Sequence, residues 1–149
     1  MFRKIEDIGN VNLANKTTVK NIKQSFCEQF PLITDYIDEI IPKKGQIWMA
    51  KIKPEGLIEL YFNETEVIAF SQEKRYVPTL RILHRYPDVM KKMQVDKGAI
   101  KFVFSGADVM CPGLTSPGGK MDDVKKDQVV AITAEGKENA LAIGLTKMD

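Results

Sequence analysis

Histidine and cysteine are scarce in this chain of 149 residues, which contains one histidine and two cysteines. His84 is therefore the only imidazole available as a general base or a metal ligand. Cys27 and Cys111 lie far apart and outside any CxxC pattern, so their spacing indicates neither a zinc site nor a disulfide framework. Reduced cysteines are typical of the cytosol, and the sequence predicts a cytoplasmic protein without a metal site.

Long apolar runs are also absent. No window approaches the about 20 apolar residues that a membrane-spanning helix needs. Residues 1–7 lack the apolar core of a signal peptide. The sequence therefore predicts a protein with no membrane partner and no secretion signal.

Recognisable catalytic motifs are missing from the polar segments. Residues 113–120 have one residue too many before the lysine for a phosphate-binding P-loop, and Met121 stands where a Mg²⁺-binding hydroxyl belongs. A nucleophile pair would need His84 beside Cys27 or Cys111, and lone residues of these types are usually structural. The sequence predicts no enzymatic activity and no cofactor.

Charge is distributed unevenly along the chain, although the formal net charge is only +2. Residues 74–101 contain eight basic and two acidic side chains, whereas residues 28–42 contain four acidic and no basic ones. This asymmetry favours a surface in the middle of the chain that faces a polyanion. A solvated face with no partner is the alternative.

The first half of the chain has the pattern of a small α+β unit. Apolar spacing predicts a helix that begins at Thr17-Thr18, and Pro31 ends it and opens a second helix. Three strands are predicted at residues 46–53, 57–62 and 66–71, with turns at 54–56 and 63–65. Pro78 is expected in the first turn of a third helix, which Pro87 ends near Arg85. Residues 88–94 are the predicted hinge.

The second half begins with an amphipathic pattern after Val95. Asp96 is a good helix N-cap, Lys97 and Lys101 project outward, and Gly106 supplies a left-handed helix end. A short apolar strand, a Pro-Gly corner, strands at 128–134 and 140–146 and a loop at 135–139 are expected to follow. The predicted core of this unit consists of Val95, Ile100, Val103, Phe104, Val109, Val130, Ile132 and Ile143.

The order of these elements resembles the PUA domain, a small β-barrel module that binds RNA. Three segments, PTLRILHRYP (78–87), QVDKGAIKFV (94–103) and MCPGLTSPG (110–118), resemble the malignant T-cell-amplified sequence family more closely. Its fungal relatives are known as translation machinery-associated proteins. The resemblance also includes Phe30-Pro31, residues 42–44 and residues 130–137, and so covers nearly all of the chain.

The resemblance implies an α+β protein with a small N-terminal α+β domain at residues 1–91 and a PUA β-pseudobarrel at 92–149. Family members act on the small ribosomal subunit in recycling and reinitiation, and they help to deliver or release tRNA. Density-regulated protein is their partner, and no enzymatic activity is implied. Members continue for a few tens of residues past the point that matches Met148-Asp149, so the barrel is expected to lack its last strands and to leave open sheet edges.

Six residues are candidates for RNA binding by this resemblance. Lys97 and Lys101 lie one turn apart on the expected RNA-facing helix and suit tRNA or small-subunit rRNA phosphates. Gly106 and Ala107 match the small-residue turn of the PUA pattern, where backbone can approach closely, although Gly106 is equally suited to a helix cap. Arg81 and Arg85 extend the basic track or form salt bridges to the acidic second helix.

Three functions remain open at this point. The first is a ribosome-associated, RNA-binding translation factor that recruits a partner protein. The second is an accessory domain of an RNA-modifying enzyme, because PUA modules are appended to pseudouridine synthases and tRNA-guanine transglycosylases. The third is a protein-interaction scaffold that uses the acidic helix and the meander.

The N-terminal unit is expected to carry the protein–protein contact, because one sheet face has to remain uncovered when two helices back the other. The alternative is that the large apolar side chains of the meander all pack under the helices. These side chains are Ile47, Trp48, Met49, Leu60, Tyr61, Phe62 and Phe70.

Overall fold

The structure is a computed structural model and describes residues 8–52 and 58–148. The chain divides into two compact units, one up to Ile82 and the other from Leu83 onward. The division falls inside a short helix, Leu80–Arg85. The sequence-based boundary, between residues 91 and 92, lies further along the chain.

The first unit is a five-stranded antiparallel sheet whose strands are adjacent in the order in which they occur along the chain. Its elements are β1 (Ile8–Leu13), α1 (Lys16–Gln29), a 3-10 turn (Pro31–Ile33), α2 (Ile37–Ile40), β2 (Trp48–Ile52), β3 (Ile58–Phe62), β4 (Val67–Gln72), β5 (Arg75–Pro78) and α3 (Leu80–Arg85). The mixed class of helix and sheet that the sequence predicts is confirmed.

Helix α1 forms where the apolar spacing predicts it, but it begins one residue before Thr17. The Asn15 side chain accepts a hydrogen bond from the Thr18 backbone N–H at 2.8 Å and so caps the first turn. Ile22 and Phe26 are buried. The Phe26 ring lies 5.0 Å from the Tyr76 ring of β5, which packs α1 against the sheet.

The predicted three-stranded meander is wrong in number, because β1 and β5 flank it as additional edge strands. The three predicted strands are present within one or two residues of their expected ends. The turn at 63–65 is confirmed, since the Asn63 side chain accepts from the backbone N–H groups of Thr65 and Glu66. The predicted turn at 54–56 lies outside the described residues.

Pro78 does not open a helix, as the sequence suggested, but ends β5 opposite Ala69. A proline is tolerated there because β5 is an edge strand and its missing N–H breaks no inner ladder. The edge strand has a side-chain partner instead. The Gln29 amide donates to the Tyr76 carbonyl at 2.7 Å and accepts from the Tyr76 N–H at 2.8 Å.

The large side chains of the meander divide between two environments. Ile47 and Tyr61 are buried. The other five are partly exposed, namely Trp48, Met49, Leu60, Phe62 and Phe70. The alternative in which all of these side chains pack under the helices is therefore wrong.

The second unit is a four-stranded sheet in which β6 runs parallel to β8 and every other pair is antiparallel. Its elements are β6 (Lys92–Val95), a 3-10 turn (Lys97–Ala99), α4 (Ile100–Phe104), α5 (Cys111–Thr115), β7 (Lys120–Met121), β8 (Val129–Ala134) and β9 (Ala142–Leu145). The parallel pair brings together segments that are far apart in the chain.

Two predictions for this unit are corrected. The predicted hinge at 88–94 extends too far, because β6 begins at Lys92, and Val89 and Met90 within the segment are buried. The expected apolar strand and Pro-Gly corner are absent from residues 107–115, where irregular chain leads into α5. Pro112 lies in the first turn of α5, where its missing N–H leaves no helical hydrogen bond unmade.

The predicted core of the second unit is correct at its centre and wrong at one end. Val95, Val130 and Ile132 are buried, together with Met93 and Ala134. Partial burial is shared by Ile100, Val103, Val109 and Ile143. Phe104 is 68% exposed, contrary to the prediction, because α4 ends there and Ile100 and Val103 already cover the core.

Candidate nucleic-acid interface

The segment before α4 is held by Asp96, as the sequence predicted. Its carboxylate accepts from the backbone N–H groups of Gly98 at 2.7 Å and Ala99 at 3.2 Å. It caps a single 3-10 turn that continues into α4, so Lys97 lies in the turn and Lys101 in the helix. Both lysines are exposed at the surface of the second unit.

Gly106 ends α4 in the left-handed conformation, with φ of +79°. Its N–H donates to the Val103 carbonyl, and the Ala107 N–H donates to the Phe102 carbonyl, both at 3.0 Å. This is a Schellman motif, in which the two N–H groups are used by the helix end and are not available to phosphate. A Cβ on Gly106 would meet nothing within 4 Å, so the glycine is required for its φ and not for a close approach.

A shallow open groove of about 280 Å³ lies between α4, the turn after it and the start of α5. Ala107 lines it, which gives this candidate residue a position in the site. Phe102 is 55% exposed, and Met110 is also exposed. The lining residues are Ala99, Phe102, Val103, Ala107, Asp108, Val109, Met110 and Gly113.

Cationic side chains border this groove and its helix. The Lys101 ammonium lies 4.9 Å from the centroid of the Phe102 ring, within the range of a cation–π contact. The Lys97 side chain passes Gly136, with its Cε 3.6 Å from the position that a Cβ there would occupy. In the described part of the chain, neither lysine forms an ion pair.

Lys137 is a residue that sequence reasoning missed. It follows Gly136 in the turn between β8 and β9, and it is exposed. The proximity of Lys97 to Gly136 brings the two lysines to the same edge of the unit. Only the fold relates positions 97 and 137, and no local pattern signals it.

Arg81 and Arg85 lie on α3 and are exposed. Arg81 belongs to the first unit and the candidate lysines to the second. Asp38, one of the acidic side chains of the second helix, is held by Lys23 at 2.6 Å and by Lys43 at 3.1 Å. The hydrogen bond from Lys23, followed by that from Lys43, lowers the pKa of Asp38 below its ordinary value.

The residues considered for catalysis have structural surroundings. The His84 Nε2 lies 2.9 Å from the Ala140 carbonyl oxygen, within hydrogen-bond distance. Cys111 is exposed, Cys27 is partly buried, and both are free thiols. Across residues 8–52 and 58–148, no group of three His, Cys, Asp or Glu side chains could hold a metal ion.

A buried hydroxyl in the first unit also has local partners. The Tyr61 hydroxyl donates to Glu59 at 2.9 Å and lies 3.0 Å from the Ser71 hydroxyl. Burial raises the pKa of Tyr61 above its ordinary value. The group is therefore neutral at physiological pH and serves the packing of the sheet.

None of the helices described in the structure has the length and apolar character needed to cross a membrane.

Solved structures share the fold over most of the chain. A hypothetical protein from Pyrococcus horikoshii superposes with a TM-score of 0.75 at 20% identity, over 94% of this chain and 83% of that chain. A conserved PUA domain protein from Thermoplasma acidophilum superposes with a TM-score of 0.67 at 17% identity, over 94% of this chain and 82% of that chain. These similarities establish the fold, which is that of PUA-domain proteins.

Two family models match consecutive parts of the sequence. A Pre-PUA-like domain matches residues 2–87, and a PUA domain matches residues 91–149. The predicted fold class, a small N-terminal domain followed by a PUA domain, is thereby confirmed. Neither description names a catalytic activity.

Relatives match across almost the entire chain. Malignant T-cell-amplified sequence 1 of Danio rerio is 47% identical over 99% of this chain and 83% of its own length. Malignant T-cell-amplified sequence 2 of Homo sapiens is 43% identical with the same coverage. Translation machinery-associated protein 20 of Eremothecium gossypii is 42% identical over 97% of this chain and 81% of its length. The chain belongs to the malignant T-cell-amplified sequence family, which includes the fungal translation machinery-associated proteins.

Proposed function

We propose that the protein is a non-catalytic, RNA-binding translation factor that acts on the small ribosomal subunit in the cytoplasm. It takes part in recycling and reinitiation, and it helps to deliver or release tRNA. The observation that supports this most directly is the contact of Lys101, which has no ion pair among the described residues, with the exposed Phe102 ring that lines the groove in the PUA domain. The family, with members named for association with the translation machinery, supports the same function.

Each part of the proposed site suits one part of a single-stranded RNA. Lys97 and Lys101 have no carboxylate partner in the described residues, so their charges are available to phosphates. Lys137 extends the same cationic edge. Phe102 and the apolar groove offer a surface against which an unstacked base can pack, as aromatic side chains do in other single-strand binders.

Gly106 and Ala107 contribute shape to this site. The Schellman motif turns the chain away from α4 and so opens the groove that Ala107 lines. A small side chain at position 107 leaves room for the ligand. The arrangement binds and positions RNA. Its described residues include no combination of side chains that would break or form a covalent bond.

A charge-reversal pair tests the RNA site. We expect Lys97→Glu with Lys101→Glu to weaken binding of tRNA and small-subunit rRNA, because each lysine neutralises a phosphate and releases a counterion. The slope of log affinity against log salt should become shallower by about 1 for each lysine. Fluorescence anisotropy titrations at several salt concentrations measure both quantities.

The matched control is Lys16→Glu with Lys20→Glu on α1. These two lysines are exposed, have the same spacing as the first pair and change the net charge equally. The two substitutions on α1 should leave the affinity for RNA nearly unchanged. Equal loss in both variants would show that net charge alone governs binding, and the proposed RNA site would be wrong.

The first unit is proposed to bind a homologue of density-regulated protein. Strand β1 supports this, because it is an edge strand with exposed apolar side chains at Val11 and Leu13, each 49% exposed. Exposed apolar groups at a sheet edge are typical of surfaces that a partner covers. Co-purification of the full chain with that partner should be lost in Val11→Asp with Leu13→Asp and retained in the α1 control. Undiminished binding of the β1 variant would place the contact elsewhere.

A further inference from the structure

The groove beside α4 contains one charged group among apolar ones. Of its eight lining residues, only Asp108 has a side chain that forms strong hydrogen bonds. Asp108 follows the Schellman turn and is exposed. Any ligand that the groove recognises through a side-chain hydrogen bond therefore has to meet a carboxylate.

The Asp108 carboxylate has its acceptor capacity open to a ligand. No hydrogen bond or ion pair to this side chain is formed within residues 8–52 and 58–148. An ionised carboxylate only accepts hydrogen bonds, and it repels phosphate. The RNA backbone is consequently directed toward Lys97 and Lys101, and the part of the nucleotide that enters the groove has to offer donors.

We infer that Asp108 makes this groove selective for nucleobases that carry an exocyclic amino group, and against uracil. The inference rests on the proposed RNA binding and names its base specificity. Cytosine presents an amino group at N4 and adenine at N6, and carboxylates accept hydrogen bonds from such groups. Uracil has a single N–H on its pairing edge, between two carbonyl oxygens that the carboxylate repels.

Cytosine and uracil form the sharpest comparison, because the two pyrimidines have similar ring size and differ at this edge. We expect the parent protein to bind a cytidine hexaribonucleotide about tenfold more tightly than a uridine hexaribonucleotide. One hydrogen bond to a charged group is sufficient to produce a difference of this size. Fluorescence anisotropy with end-labelled hexamers measures the ratio. The affinity of the protein for an adenosine hexamer should be close to its affinity for the cytidine hexamer and higher than its affinity for the uridine hexamer.

Asp108→Asn is the decisive variant. The amide has nearly the same shape as the carboxylate, but it can also donate a hydrogen bond to a carbonyl oxygen of uracil. The ratio of the affinities for the cytidine and uridine hexamers should therefore fall to within about twofold. Asp108→Ala should remove the preference as well. Asp123→Asn is the matched control, because it removes an exposed carboxylate of the same unit that does not line the groove. It should preserve the tenfold ratio while reporting any general effect of the charge change on RNA affinity.

The outcomes separate this inference from the proposed function. Equal binding of the two hexamers, with dependence on Lys97 and Lys101 retained, would overturn the base specificity and leave RNA binding in place. A preference that persists in Asp108→Asn would overturn the role of Asp108. Absence of binding to the hexamers and to tRNA alike would overturn both proposals.

Discussion

Helices α1 and α4 place their apolar side chains in opposite environments. Helix α1 has 14 residues and buries Ile22 and Phe26 against the first unit. Helix α4 has five residues, none of them fully buried, and it exposes Phe102 and Phe104. A large apolar side chain in water adds little to folding, whereas one in a binding site contributes to affinity. The comparison shows that α1 contributes to the stability of its unit, and it supports the proposal that α4 contacts a ligand.

The largest expected effect separates the two phenylalanines. Phe26 is 1% exposed, so Phe26→Ala removes a buried ring and leaves a cavity, and the free energy of unfolding should fall by about 3–5 kcal/mol. Phe104→Ala should change it by less than about 0.5 kcal/mol, because the ring is already in water. Urea denaturation followed by circular dichroism measures both. A loss at Phe104 as large as that at Phe26 would contradict the assignment of α4.

A smaller effect is expected at the end of α4. Gly106→Ala places a Cβ in the left-handed region at φ of +79°, which should destabilise the protein by about 1–2 kcal/mol. Gly113→Ala is the control, since position 113 lies inside α5 and a Cβ there meets nothing within 4 Å. Thermal unfolding of the two variants compares them. If Gly106→Ala were as stable as the parent, the Schellman cap would not be needed to hold α4.

The smallest effect concerns Asp38, whose ion pair with Lys23 joins α2 to α1 and which also pairs with Lys43. Because the pKa of Asp38 is lower in the folded state, its pairing stabilises the fold above the unfolded pKa, and this contribution is lost as the pH falls through the folded value. We therefore expect Asp38→Asn to flatten the decrease in unfolding free energy below about pH 4. Denaturant titrations from neutral to acid pH measure it. Asp35→Asn, at an exposed neighbouring carboxylate, is the control for the change in net charge, and an equal flattening in that variant would show that the pairing of Asp38 is not the cause.

Local signals predicted those elements whose stabilising groups lie close together in the chain. The apolar spacing of α1 and the break at Pro31 placed the helix to within a residue at its start, and the nearby Asn15 supplies its cap. Asp96 was correctly assigned as a cap because its two acceptor contacts lie within three residues. The turn at Asn63 was predictable for the same reason.

Predictions were wrong where the stabilising partner is distant. β5 is held in part by the Gln29 amide, which is 47 residues away from Tyr76, so Pro78 was assigned to a helix that begins two residues later. The predicted hinge included residues 92–94 of β6, because the parallel partner of this strand, β8, lies more than thirty residues further along the chain. The burial of Phe104 was overestimated because periodicity counts apolar residues and does not show where the core ends.

For the candidate site, the sequence supplied most of the candidate residues but not the shape of the surface that they form. Lys97, Lys101 and the left-handed Gly106 could be selected from spacing and from family resemblance, because charge, helix spacing and the φ preference of glycine are local properties. The groove, the position of Asp108 in it and the approach of Lys97 to the turn before Lys137 depend on the packing of β6 against β8. Such contacts join residues that no local rule relates, so only the tertiary structure decided which charged side chains border the groove and which one lines it.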